Sequence, residues 1–211
     1  MQDIRHTFDQ MYEGSVDPWG FRTRWYEARK RALTVACLPA RTYKGGYEPG
    51  CANGELAAAL AMQCASLRVS DGSGAAVQLA QSRLSAFTHV HVVQEWLPDE
   101  WPSQSFDLIV LSEFCFYLSE NNLKTVAVRA KASLSEEGTL LACHWRHPVE
   151  GFALHGDTVH AILAERLKLP QLVHHEERDF VLDVWSPSAR SVAEREDLVL
   201  PPSAMPVRKS S

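Results

Sequence analysis

Glu48-Pro-Gly-Cys-Ala-Asn-Gly54 decides how this 211-residue chain is read. Small residues at 50, 52 and 54 let the backbone pass close to a ligand. A helix starting directly afterwards offers free N–H groups to that ligand. A dinucleotide-binding turn has the form G-x-G-x-x-G. Here the spacing is Gly50-x-Ala52-x-Gly54 and residue 55 is Glu. A carboxylate at that helix start is a poor neighbour for a pyrophosphate, so the pattern fits a ligand without phosphate, and a nicotinamide oxidoreductase ranks last.

Outward from this turn, strands and helices alternate. Strands are expected at 43–48, 66–70, 90–93, 106–112 and 139–144, with helices at 54–64, 74–86, 121–134 and 157–168. Strand then helix, repeated, means parallel strands joined by crossover helices, hence an α/β layered domain. Phe106-Asp-Leu-Ile-Val-Leu111 is the best strand, apolar enough to be buried on both faces. Tyr43-Lys-Gly-Gly-Tyr47 is the poorest, weakened by two glycines and a lysine. Leu172–Glu177 and Asp179–Ser186 are expected to close the sheet with an antiparallel hairpin at one edge. Asp71 ends the second strand 21 residues after Gly50, where a carboxylate can accept two hydrogen bonds from a ribose diol.

Before the turn, Asp17-Pro18 reads as a helix start. Phe21 to Leu38 then reads as a helix with Trp25, Ala28, Ala32 and Val35 at helical spacing. Residues 1–40 are taken as a helical cover, 41–200 as the core of the same domain, and the Pro/Ser-rich 201–211 as a disordered tail.

Composition narrows the function classes. At 45% apolar and 22% charged the chain is globular rather than disordered or fibrous. A net charge of −5 has the wrong sign for a nucleic-acid partner. Five cysteines without a CxxC pair imply neither a disulfide framework nor a zinc ribbon, and suit a reducing cytoplasm. The N-terminus has no apolar stretch of signal-peptide length, and no run reaches the roughly 20 apolar residues of a membrane span. His144-x-x-His147, with His155 and His160 downstream, is not read as a metal site, because Pro148 breaks the geometry that would align the ligands.

Taken together, Asp17-Pro-Trp19, Trp25-Tyr-Glu27 with Arg29-Lys30, Glu48-Pro-Gly-Cys51, Phe106 through Glu113, Tyr117-Leu118 and His144-Trp-Arg-His-Pro148 resemble class I S-adenosylmethionine-dependent methyltransferases, and more narrowly the nodulation N-methyltransferase (NodS-like) family. The resemblance implies a seven-stranded doubly wound sheet, S-adenosyl-L-methionine as cofactor, and methyl transfer to an amine, as on an amino sugar or glycan. It places Glu48 near the methionine amino group, the backbone of Gly50, Cys51, Ala52 and Gly54 along the methionine part, and Asp71 with Gly72 at the ribose. Ser112, Glu113, Trp25 and Arg29 are assigned to the cofactor side, with Arg22 an alternative to Arg29. Families of this kind place an Asp after the third strand to read adenine; here Trp96 stands there with Glu95 before it. Either Glu95 takes that role or adenine stacks on Trp96.

An amine acceptor must be neutral before it attacks, so a group able to take a proton is useful. His144 or Glu113, at the carboxyl ends of two central strands, is expected to orient or deprotonate it. Trp19, Tyr26, Tyr117, Trp145, Arg146 and His147 are assigned to the acceptor pocket. Of six tryptophans, five are expected around one cleft, with Trp25 and Trp185 the best candidates for plain core. Alternatives are O-methylation of a small metabolite, or a non-catalytic protein that keeps the fold and binds a partner. The oligomeric state is open.

Overall fold

The computed structural model describes residues 8, 11, 12 and 14–199; the tail expected from Pro201 lies outside them. In chain order the elements are α1 (Trp25–Ala36), β1 (Gly46–Pro49), α2 (Glu55–Leu60), β2 (Leu67–Asp71), α3 (Gly74–Leu84), β3 (Val90–Gln94), β4 (Phe106–Ser112), α4 (Glu120–Ser133), β5 (Leu134–Trp145), α5 (Gly156–Leu167), β6 (Gln171–Glu176), β7 (Phe180–Trp185) and α6 (Val192–Arg195).

One seven-stranded sheet runs in the order β3-β2-β1-β4-β5-β7-β6. Strands β1 to β5 pair in parallel, while β7 lies antiparallel on β5 and β6 antiparallel on β7. The expected hairpin therefore closes one edge. β4 sits at the centre, and its alternation feeds two cores. Leu108 and Val110 face the side that α2 and α3 cover; Ile109 and Leu111 face the side under α4 and α5. That is why a near-continuous apolar run was needed there. The strand order reverses between β1 and β4, which opens a crevice beyond their carboxyl ends.

The weak first strand forms only over Gly46–Pro49; Tyr43 makes an isolated bridge to Cys64. Gly46 is needed there because a Cβ on it would fall 2.8 Å from the Cys64 sulfur.

The first helix departs most from expectation. Asp17-Pro18 does not start it. The Asp17 carboxylate accepts from the Phe21 and Arg22 amides at 2.8 and 3.1 Å and from Asn53 Nδ2 at 3.0 Å, tying a turn to the loop after β1. Gly20, at φ +75°, then breaks the helical path, and α1 begins at Trp25. Its inward face is also not the apolar one: Glu27, Lys30 and Thr34 are buried, whereas Ala32 is exposed and Trp25 is 77% exposed. Trp25 is thus neither core nor cofactor cover, because it sits one position off the buried stripe. Among the described residues no helix is long and apolar enough to cross a membrane.

Candidate active site

A cavity of about 1040 Å³ opens at the β1/β4 crevice. Its floor is the turn after β1. Gly50 takes φ +70°, and a Cβ there would collide with the Phe114 side chain at 2.8 Å, so this position needs glycine on both counts. Asp71, at the end of β2, accepts from the Ala52 amide at 3.0 Å and the Ser73 amide at 2.9 Å, which draws the two loops together beside the cavity. Gly54 does not face the cavity. At φ +79° it caps α2, and a Cβ on it would lie 3.2 Å from Ala80 Cα, so it is there to seat α2 on α3.

Glu48, Cys51 and Ser112 line a narrow cleft that joins the cavity near Gly50, Ala52 and Glu113. Glu48 is 2% exposed, and its Oε2 has no hydrogen-bond partner among the described residues. Burial pushes its carboxyl up to about 8, with Asp71 adding to the shift. A buried carboxylate without a partner is costly, and a cationic ligand group would relieve it.

The polar face of α1 forms one wall. Lys30 Nζ lies 2.6 Å from Glu113 Oε1 and 3.1 Å from Glu27 Oε2, and 5.0 Å from the Tyr26 ring centroid. Glu113 holds a left-handed backbone at φ +58°, and its second oxygen accepts from the Trp145 amide at 3.0 Å. Burial alone would lower the Lys30 ammonium, but Glu113 and Glu27 outweigh it and hold it above the usual lysine range. Burial raises the Glu27 carboxyl, and Lys30 offsets this only in part.

On the opposite side both candidates for adenine line the cavity, with different engagements. Glu95 is buried, paired with Arg68 and accepting from the Tyr47 hydroxyl at 3.2 Å. The Trp96 indole lines the cavity and packs on Gly72. Trp96 thus presents a flat ring to the cavity, whereas Glu95 is already engaged by Arg68 and Tyr47.

Among the acceptor-side residues, Trp19, Tyr26, Tyr117 and Trp145 all line the cavity. Tyr26 and Trp145 meet edge to face at 5.7 Å between ring centroids. Arg146 and His147 do not line it. Arg146 is held by Asp157 and Glu176, and His147 by Asp179 at 2.8 Å. Arg29 pairs with Glu177 at 2.7 Å and Arg22 with Glu55 at 3.2 Å, so neither reaches the cavity.

His144 is withdrawn as a catalytic candidate. It is fully buried, and its Nδ1 lies 3.1 Å from His160 Nε2, whose own Nδ1 donates to Asp183 at 2.5 Å. This chain sits on the α5 side of the sheet, behind the segment that carries Phe116. The β5 side chains alternate, so Trp145 reaches the cavity and His144 faces away. Trp101 is also core: it packs against Tyr47 at 5.2 Å and donates to Ser133 Oγ at 3.0 Å. Trp185 is buried as expected. Three tryptophans, 19, 96 and 145, share the cavity rather than five.

Residues missed in the sequence are Glu27, Lys30, Arg24, Tyr12 and Phe114, which line the cavity. The i, i+3 spacing of Glu27 and Lys30 was the available signal. The spacing alone does not mark the pair as inward, because an inward helix face is ordinarily apolar.

The family model for nodulation protein S (NodS) matches residues 4–176. The chain belongs to the NodS family. Nodulation protein S of Bradyrhizobium diazoefficiens is 27% identical over 172 residues, 79% of this chain and 82% of that protein. A Pseudomonas syringae crystal structure, provisionally described as a methyltransferase, shares 52% identity and covers 77% of this chain and 99% of its own, with a TM-score of 0.70. N-methyltransferase NodS from Bradyrhizobium japonicum WM9, crystallised with S-adenosyl-L-homocysteine, superposes with a TM-score of 0.74 at 24% identity, over 85% of this chain and 98% of that one. The fold is the one these methyltransferase structures share.

Proposed function

We propose that this member of the NodS family N-methylates a small amine-bearing acceptor, such as an amino sugar or glycan, with S-adenosyl-L-methionine as methyl donor. The observation that carries the amine is the charge of the cavity. Among its described lining residues, Glu27, Asp71, Glu95, Asp99, Glu113, Glu150 and Asp179 face only Arg24 and Lys30. Such a wall favours a cationic guest over a phosphate or carboxylate acceptor.

The residues present fit the donor. Glu48, buried and unpartnered at Oε2, suits an α-ammonium group; Asp71 stands where a ribose diol would be read; the Trp96 indole offers a flat surface for a purine. Arg24, rather than Arg22 or Arg29, is the cavity-lining cation for a carboxylate. When bound, the donor supplies a methyl group on a positively charged sulfur, and that charge is lost on transfer. Phe114, Phe116, Tyr117 and Trp145 keep water from the reacting atoms, and Tyr26 with Trp145 orients the acceptor. In well-oriented systems positioning lowers a barrier by about 7–11 kcal/mol, so little covalent help is required.

The test is a thermal-shift titration with S-adenosylhomocysteine, then methyl transfer to glucosamine with glucose as control. Stabilisation by the ligand and methylation of the amine alone are expected. No stabilisation at millimolar ligand, or methylation of both sugars, refutes the reading.

A further inference from the structure

An amine at neutral pH is an ammonium without a lone pair, so some cavity group must take its proton. The acidic lining offers several, and most are committed. Asp71 accepts two backbone amides, Glu95 is held by Arg68 and Tyr47, and Glu113 has one oxygen on Lys30 and the other on the Trp145 amide. Asp99 and Glu150 are exposed, and Asp179 is engaged by His147.

Glu27 differs. It is 8% exposed, lines both the cavity and the narrow cleft, and touches Lys30 Nζ with its two oxygens at 3.2 and 3.1 Å. Each oxygen keeps a further lone pair. We propose that Glu27 is the proton acceptor for the ammonium of the incoming acceptor, an inference that rests on the amine-methyltransferase reading above. Lys30 is its positioning residue, fixed in turn by Glu113. The charged groups facing Glu27 are Lys30 and Arg31 of α1 and Glu113 after β4, with the Tyr26 phenol and the Cys143 thiol of β5 close by. Burial lifts the Glu27 carboxyl toward the range where a base works best, while the raised Lys30 stays charged and cannot itself be the base.

The step balances. The N–H proton passes to the Glu27 carboxylate, and the freed nitrogen pair forms the N–C bond as the S–C bond breaks. The S–C electron pair stays on sulfur, which becomes a neutral thioether, and the product leaves as a methylammonium. Glu27 returns its proton to solvent.

The experiment compares full-length wild type with Glu27→Gln and Glu27→Asp. S-adenosylhomocysteine binding is read by calorimetry, and glucosamine methylation is read as kcat and KM from pH 6 to pH 10. General-base removal costs about 10²–10⁴-fold. We expect Glu27→Gln to lose at least about a hundredfold in kcat/KM at pH 7, a deficit that shrinks as alkaline pH supplies free amine. Its ligand affinity is expected to stay within about threefold of wild type, and Glu27→Asp to recover part of the rate. A pH-independent deficit overturns the inference in favour of a structural role. A large loss of ligand affinity with kcat retained overturns it by assigning Glu27 to the donor. A wild type that binds the ligand yet methylates no amine overturns the underlying reading instead.

Discussion

The Trp96 indole lies so close on Gly72 that a Cβ at residue 72 would fall 2.8 Å from the ring. The ring occupies the space that any side chain after Asp71 would claim, and both residues line the cavity. Gly72→Ala is therefore expected to swing Trp96 away while leaving the unfolding temperature almost unchanged. Base–aromatic stacking is worth about 1–3 kcal/mol, so S-adenosylhomocysteine affinity is expected to fall about tenfold or more, read by calorimetry and tryptophan fluorescence. Unchanged affinity would remove Trp96 from the donor site.

Glu48 links ligand binding to protons. Its carboxyl moves from 4.5 to about 8 on burial, so the neutral acid suits the fold. Stability from this group is full below pH 4.5 and is lost as pH rises through about 8. Glu48→Gln, neutral throughout, is expected to unfold at a higher temperature than wild type at pH 8.5 without ligand, and to bind S-adenosylhomocysteine poorly. In wild type at pH 7, an arriving ligand ammonium restores the carboxylate and expels about one proton. Binding enthalpies in Tris and in phosphate should then differ by that proton's ionisation heat. Equal enthalpies would separate Glu48 from the ligand.

His144, His160 and Asp183 form a load-carrying polar chain across β5, α5 and β7. Asp183 is 4% exposed and also accepts from Gln171 at 2.5 Å and His174 at 2.7 Å. His160→Ala strips Asp183 Oδ2 of its donor, and leaving a buried acceptor unsatisfied costs about 1–3 kcal/mol. A fall in unfolding temperature is expected, with kcat unchanged in the fraction that remains folded. A kcat loss at full folding would restore His144 to the chemistry.

Arg29, Glu177 and His175 tie the hairpin turn to α1. The Arg29 hydrogen bond is the main cause holding the Glu177 carboxyl at about 2, below the ordinary 4.5. The tie is present above pH 4.5 and is lost as pH falls toward about 2. Because the pair is exposed, its share of global stability is small. Protection against hydrogen exchange in the turn between β6 and β7, taken relative to the intrinsic rate at each pH, is expected to fall in that window in wild type, and at neutral pH in Glu177→Gln. Identical exchange in both proteins would deny the tie.

Several features were legible from local chemistry. The apolar run of β4, the glycine turn and Asp71 at its strand end each answer to a short-range requirement, and each lies where those requirements place it. The i, i+3 spacing of Glu27 and Lys30 marks a pair but not its inward direction, which is set by tertiary charge pairing with Glu113, 83 residues from Lys30. His144 failed for a different reason. A strand end specifies nearness to the site, but the pleat decides which face a side chain takes, and β5 extends from Leu134 to Trp145 rather than over 139–144, with Trp145 turned inward. Arg22, Arg29 and Arg146 read as ligand cations from the sequence because nothing local names their carboxylate partners Glu55, Glu177 and Asp157.

Because α1 seats itself on the domain through Glu27 and Lys30, its attachment and the electrostatics of the acceptor wall are one arrangement. A lineage that exchanged these charges for a new acceptor would at the same time loosen its own N-terminal helix. Divergence of substrate choice is therefore expected first at Trp145, Val149 and Glu150, which border the cavity without anchoring that helix through an ion pair.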